Sequence, residues 1–348
     1  MYASLKLLFT ILLLSVITPL QAQQAFSISG TVKHAKDGWL PAATIFLDGT
    51  ERKTYSNENG AFKLDQISPG TYQLTVHFIG YKTLTKNVII EDKSIVLDLL
   101  LEHSEETLKE VVITSTVSKN KYLSMFLKSF LGETENGKSC QVLNPGILKF
   151  SEQLLSVTAK SNDFLEIINQ NLGYKIRYSI RDFKLNRYTS IASYTGECIF
   201  ESLKGSENEE LQWEENRRKA YEGSLMHFIR SLYSNTTNDN GFSYYYILDY
   251  NKSKQRLGPP LQTEDFVSHE KKELATIKLS APLYIRYAPD GVSPTEQTAS
   301  IIAPFLPTAT IDSKGSVVDY RSFLIRKYWG TKRLGDQLPY EYMPVKSL

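Results

Sequence analysis

Between residues 26 and 101, apolar and polar positions alternate in short runs, and each run closes on a turn signal. Phe26, Ile28 and Val32 share one side of the first run, which breaks at Asp37-Gly38. A second run through Ile45 and Leu47 breaks at Asp48-Gly49, and Asn59-Gly60 precedes a third through Phe62 and Leu64. Pro69-Gly70 precedes a fourth through Tyr72, Leu74, Val76 and Phe78, and Gly80-Tyr81 a fifth that reaches Ile90. Alternation with period two predicts half-buried strands, and Asp-Gly or Asn-Gly between them predicts tight turns. Strands this short at this spacing predict an all-β sandwich. The pattern specifies an architecture and no reaction.

The texture changes after about Lys121. Ile147 to Phe150, Leu154 to Ala159 and Phe164 to Ile168 predict short strands. In the next run Ile176, Tyr178 and Ile180 alternate with Lys175, Arg177 and Arg181, which predicts an antiparallel strand with a basic outer face, continued by Arg187 to Phe200. One long helix is predicted from Ser206, where Ser206 and Glu209 form a capping box and Tyr221, Leu225, Phe228, Ile229 and Leu232 share a face. Arg217, Arg218, Glu222 and Arg230 point away from that face. Gly241 to Tyr250 and Thr276 to Tyr287 predict further strands, separated by a polar loop around Gly258-Pro259-Pro260. The expected second unit is therefore α+β, mainly antiparallel sheet with one long helix.

The first 22 residues have the three parts of a secretory signal: Lys6, an apolar run over residues 7–17, and Ala22 at a small-residue end. The run is shorter than the roughly 18–20 residues that cross a bilayer, so cleavage and export are expected, with no transmembrane span in the mature chain. The 348 residues are 41% hydrophobic and 22% charged with a net charge of +2, which is a globular composition and carries no basic face for nucleic acid. A mature chain of roughly 325 residues suggests two domains. We expect a signal peptide over 1–22, a sandwich over 24–102, a linker over 103–122 and an α+β domain over 123–348. Export permits a disulfide between Cys140 and Cys198, the two cysteines, and equally permits two unpaired thiols.

Gly30, Gly38, Pro41-Ala42-Ala43, Gly49, Asn59-Gly60-Ala61-Phe62, Pro69-Gly70-Thr71-Tyr72 and Gly80-Tyr81 together resemble the carboxypeptidase-regulatory-like domain. That resemblance implies a seven-stranded transthyretin-like (prealbumin-like) sandwich, common at the N-terminus of exported proteins of Gram-negative bacteria, and an accessory role without peptidase activity. Asn144-Pro145, Leu172-Gly173-Tyr174, Ala220 to Phe228 and Asp336 to Pro339 resemble an exported family that carries this domain and has no known active site.

His103 and Glu106 form a His-x-x-Glu pair, and with His227 they imitate the ligand set of a metallocarboxypeptidase. Zinc would need three converging ligands and an open position. His103 follows the last sandwich strand in an acidic linker and His227 flanks a helix stripe, so no metal site is expected. Residues 108–115 resemble the segment that leads to the plug of TonB-dependent receptors, but the roughly 230 residues that follow are too few for a barrel of about 22 strands. Pairing within the fold is the expected fate of that segment, and a strand offered to TonB is the alternative. Arg217-Arg218-Lys219 predicts a solvated face rather than an anion site. Tyr328, Trp329, Tyr340 and Tyr342 either close a core or offer stacking rings to a sugar.

No nucleophile elbow, phosphate loop or metal cluster occurs, and Asp249, Asp319 and Glu341 are too scattered to nominate as a catalytic pair. No catalytic, cofactor-binding or metal-binding residue is nominated, and no cofactor is expected. The sequence points to a non-enzymatic binding or scaffolding protein of the periplasm or outer membrane, with an envelope protein or glycan as partner. The competing expectation is a glycan or cell-wall hydrolase whose two carboxylates meet only in space.

Overall fold

The computed structural model describes residues 25–104, 116–189, 191–250, 256–271, 273–289 and 298–345. Residues 1–22, expected as a signal peptide, Glu106 and segment 108–115 lie outside them.

Eight strands form the N-terminal sandwich: β1 (Phe26–His34), β2 (Gly38–Trp39), β3 (Thr44–Leu47), β4 (Lys53–Tyr55), β5 (Ala61–Ile67), β6 (Gly70–His77), β7 (Leu84–Ile90) and β8 (Ile95–Leu101). In the first sheet β1 pairs antiparallel with β5 and β2 and parallel with β8; the second sheet runs β4-β3-β6-β7, all antiparallel. The alternation expected from sequence supplies the filling, with Ile28, Val32, Ile45, Leu64, Leu74, Val76 and Leu99 turned inward between the sheets. Gly30 is required where β1 meets β8, because a Cβ there would lie 1.7 Å from the carbonyl oxygen of Leu97. The outer face of the second sheet is also covered: Phe46, Thr71, Thr75 and His77 are buried. Ile45-Phe46-Leu47 is the run that betrays this, since three consecutive apolar residues in a strand need cover on both faces.

A six-stranded antiparallel sheet follows, from β9 (Cys140–Val142), β10 (Lys149–Gln153), β11 (Ser156–Lys160), β12 (Leu165–Asn169), β13 (Tyr174–Asn186) and β14 (Ala192–Ser202). Long β13 takes β11 and β12 along one edge and β14 along the other. Helix α1 (Thr116–Leu131) lies across one face, where Phe126 and Phe130 meet Phe183 and Tyr178 edge-on at 4.7 and 4.9 Å. Burying each such ring contributes on the order of 2 kcal/mol. Leu154 and Leu155, expected within a strand, form the exposed β10–β11 turn.

The expected long helix is two helices, α2 (Glu207–Tyr221) and α3 (Leu225–Ser234). The capping box forms, with the Glu209 carboxylate accepting from the Ser206 N–H at 2.8 Å. The break falls at Gly223, whose φ of +68° favours glycine and whose added Cβ would lie 2.5 Å from the Tyr287 ring. Ser224 then caps α3 by accepting from the His227 N–H.

The remaining strands are β15 (Phe242–Leu248), β16 (Arg256–Pro260), β17 (Val267–Lys271), β18 (Leu274–Ile277), β19 (Leu283–Tyr287), β20 (Ser300–Pro304), β21 (Ala309–Asp312) and β22 (Phe323–Lys327). They make a five-stranded sheet, β16-β15-β19-β20-β22, and a three-stranded one, β17-β18-β21, packed on α3 through Phe228, Ile229 and Leu232. Gly258-Pro259-Pro260, expected in a loop, lies in β16 at a sheet edge, where proline forfeits no ladder bond. The chain is mostly β, a strand-rich sandwich followed by antiparallel sheets and few helices. No helix among the described residues is long and apolar enough to cross a membrane.

Candidate functional site

After β3 the chain turns at Asp48-Gly49, and this turn is built into the second region. The Gly49 N–H donates to the Cys198 carbonyl at 3.0 Å, the Phe200 N–H donates to the Thr50 carbonyl at 2.9 Å, and the Cys198 N–H donates to Asp48 Oδ1 at 2.7 Å. Residues 48–50 therefore extend the free edge of β14. On their other side the Tyr340 N–H donates to the Gly49 carbonyl at 2.9 Å.

Beside this junction lies a partly open cavity of about 430 Å³. Asp48 and Gln73 of the sandwich form one wall, Tyr178, Tyr194 and Phe200 a second, and Phe323, Tyr328 and Trp329 a third. Its size falls in the range of small-molecule sites, and its lining mixes aromatic rings with charged and polar side chains that include Glu222, Lys332, Arg333 and Asp336.

Burial raises the Asp48 carboxyl to about 6 against the amide hydrogen bonds of Cys198 and Gly49. Its accessible surface opens on the cavity. Burial likewise raises Glu197 to about 7, opposed by Arg181. Arg181 is the extra residue of a β-bulge in β13 opposite Gly196, which brings its guanidinium onto Glu197. Glu197 is not among the residues that line the cavity, and it is itself fully buried in β14.

Both acids ionise at higher pH in the folded chain than at their ordinary 3.8 and 4.5. The folded state therefore holds more protons between about pH 4 and 7, and stability falls as pH rises through that window. Asp48→Asn is expected to recover about 3 kcal/mol at pH 8 and under about 1 kcal/mol at pH 4. His77 and His227, whose burial lowers their ring pKa values, act oppositely as pH falls below about 6.5, so the variant is compared with the parent at each pH. Denaturant unfolding at both pH values checks this; an equal shift at the two would refute it.

The other two cavity carboxylates are committed. Asp336 accepts from Thr134 and Asn136, and Glu222 from Arg218 at 2.6 Å. Both cysteines are free thiols, and burial pushes Cys198 well above the thiol range and Cys140 up to about 12. Neither is an activated nucleophile.

The residues singled out by sequence do not converge on this site. His227 is buried, its Nδ1 accepting from the Gly223 N–H and its Nε2 meeting Asn240 at 3.2 Å. His103 pairs across an isolated bridge with Tyr81 and stacks on its ring, with its side chain half-exposed. Arg217, expected on a solvated face, donates to the carbonyls of Leu172 and Gly173 and covers the Tyr174 ring at 4.1 Å. Arg218 and Lys219 are spent on Glu215 and Glu222. Asp249, Asp319 and Glu341 pair with three different arginines, Arg256, Arg321 and Arg52. Trp329 and Tyr342 close cores, and Tyr328, Trp329 and Tyr340 line the cavity. Arg230, expected to point away from the packed face of its helix, is buried. Asp48, Glu197 and Asp312 were missed; Asp48 read only as a turn residue.

Residues 28–113 match the family model of the CarboxypepD_reg-like domain, as the turn motifs implied. No curated protein matches the chain in sequence. Among solved structures, a type II cohesin–X-dockerin complex from Acetivibrio cellulolyticus is 17% identical over 31% of this chain and 76% of that one, with a TM-score of 0.21. The major pilin subunit of Bacillus cereus is 7% identical over 78% and 92%, with a TM-score of 0.21. A DUF3823 family protein from Bacteroides ovatus is 6% identical over 83% and 99%, with a TM-score of 0.16. Likenesses this distant say nothing about what this chain does.

Proposed function

We propose that the chain is a non-enzymatic binding component of the Gram-negative cell envelope, whose central cavity takes a small glycan fragment of one or two sugar rings. The observation that carries this reading is the cavity itself. Tyr328 and the neighbouring rings offer apolar faces for stacking, and Asp48 and Gln73 offer hydrogen-bonding groups in the wall. The sandwich supplies part of the wall and is thus a component of the site.

A screen of glycans and peptidoglycan fragments by ligand-observed NMR on the mature chain tests the reading. The expected result is saturable binding that weakens about tenfold in Gln73→Ala and in Tyr328→Ala. Gln73 is half-buried and its side chain lies outside the sandwich core, so its variant separates lost binding from lost folding. Binding that both variants leave unchanged would move the ligand elsewhere on the molecule.

A hydrolase is the second reading, favoured by one observation: Asp48 and Glu197 both hold raised pKa values close together along one strand junction. Against it, Glu197 is shut away from the cavity and tied to Arg181. Product release from a bound glycan, abolished by Asp48→Asn, would replace the binding reading with this one.

A further inference from the structure

Away from the cavity, three segments of the sandwich bring metal-ligating atoms together. His34 ends β1, Asp37 stands in the turn to β2, and His103 follows β8, which runs beside β1 with His34 opposite Leu101. His34 Nδ1 and His103 Nε2 each lie 2.7 Å from the same oxygen, Asp37 Oδ2, and the three ligand atoms are all within 4.8 Å of one another. Among the described residues this is the one such grouping of His, Cys, Asp and Glu.

Two features hold the imidazoles in place. His34 has a side chain only 10% exposed, and the Tyr81 ring stacks on His103 at 4.4 Å while its hydroxyl donates to Asp37 Oδ2. One carboxylate oxygen thus faces two imidazole nitrogens and a phenol, and among the described residues Asp37 pairs with no lysine or arginine. A dication would supply the missing positive charge.

The geometry points to a site for one zinc-class dication, held by His34, Asp37 and His103 with a fourth position open to water. Zinc bonds of 2.0–2.1 Å in a tetrahedron set ligand atoms about 3.3 Å apart. The present 2.7 Å separations need a small outward adjustment, which the half-exposed Asp37 and His103 side chains can make. The weak bond from the Asp37 N–H to His34 Nδ1, at 3.2 Å, yields its lone pair to the metal. Two imidazoles and one carboxylate favour zinc, copper or nickel over calcium or magnesium. The bound ion would fasten the point where the chain leaves β8 to the β1–β2 turn.

Zinc chloride titrated calorimetrically into the chelator-treated mature chain tests this. One equivalent is expected, with affinity reduced about tenfold or more in His34→Ala, in His103→Ala and in Asp37→Asn. His227→Ala, which alters a histidine in another part of the molecule, is expected to bind as the parent does. A cobalt spectrum in the visible, lost on His103→Ala, reports the same ligand set without relying on stability. No zinc uptake by the parent, or uptake that His103→Ala leaves unchanged, would overturn the site. Magnesium competing as well as zinc would overturn the assignment of the ion class.

Discussion

An Asp312→Ala chain is expected to lose about 3–5 kcal/mol of stability, the toll of leaving a buried ion pair without one partner. Asp312 is fully buried at the end of β21 and serves two regions at once. Its Oδ2 accepts from the Thr71 N–H at 2.9 Å and the Thr71 hydroxyl at 3.1 Å, both at the start of β6, and pairs with Lys314 Nζ at 2.6 Å. Its Oδ1 accepts from the N–H groups of Lys314 and Ser316. Lys314 reaches on to the Pro69 carbonyl and over the Tyr72 ring at 4.4 Å, so its charge is stranded when the carboxylate goes. We expect the unfolding curve of Asp312→Ala to split, the sandwich and the second region no longer melting together. Trp39 reports on the sandwich and Trp329 on the five-stranded sheet, so single-tryptophan variants followed by fluorescence read each separately. Asp312→Asn, which keeps the acceptor oxygen, should lose less. A single transition within about 1 kcal/mol of the parent would show that the junction does not depend on this residue.

Arg230→Met is expected to cost about 3–5 kcal/mol through a different route, unsatisfied carbonyls. The guanidinium is buried on α3 and donates through Nε to the Lys314 carbonyl at 2.9 Å, through Nη1 to Tyr342 at 2.9 Å and through Nη2 to Tyr340 at 3.1 Å. Its planar face lies over the Tyr221 ring at 5.2 Å. Five N–H donors in a fixed fork suit three carbonyls in a way a lysine cannot match, so Arg230→Lys should recover only part of the loss. Because Tyr340 and Tyr342 are the chain held here, limited proteolysis should cleave the tail around residues 338–345 in Arg230→Met well before it touches the parent. Equal protection of the two tails would refute the clamp.

How far these features can be seen in the sequence depends on whether their cause is local. The sandwich is legible because its turns need Asp-Gly and Asn-Gly and its strands alternate in one period. The capping box at Ser206 is legible for the same reason. What fails is anything decided by a distant partner. Thr71, Thr75 and His77 alternate with core residues and read as a solvated face, yet they are buried, and segments more than 80 residues away meet Thr71 and His77, as Asp312 and Asp163 show. The tripled apolar run at Phe46, which meets Phe164 and Ile199, was the available sign. Arg230 sits beside an apolar stripe and reads as an exposed cation until three carbonyls from the tail arrive. Gly223 lies inside a helical pattern that tolerates glycine, and only the Tyr287 ring reveals why the helix stops there. The cavity is the least legible of all, because its walls come from many separated stretches of chain with no common motif.

The threading of residues 48–50 between β14 and Tyr340 also sets an order of events. A chain made from its N-terminus completes the eight strands of the sandwich early, and their short-range pairings form fast. The bonds at Gly49 must wait for Cys198 and then for Tyr340, and the contact of Glu51 with Glu341 spans 290 positions. Phe46 stands bare on the outer face until Phe164 and Ile199 arrive, and the edge of β14 is uncovered until residues 48–50 pair with it. The sandwich excised alone would carry that sticky face permanently, so a soluble fragment of it calls for polar substitution at Phe46 before its boundaries are trimmed. The sandwich is thus sealed in part by a contact 290 positions further along the chain.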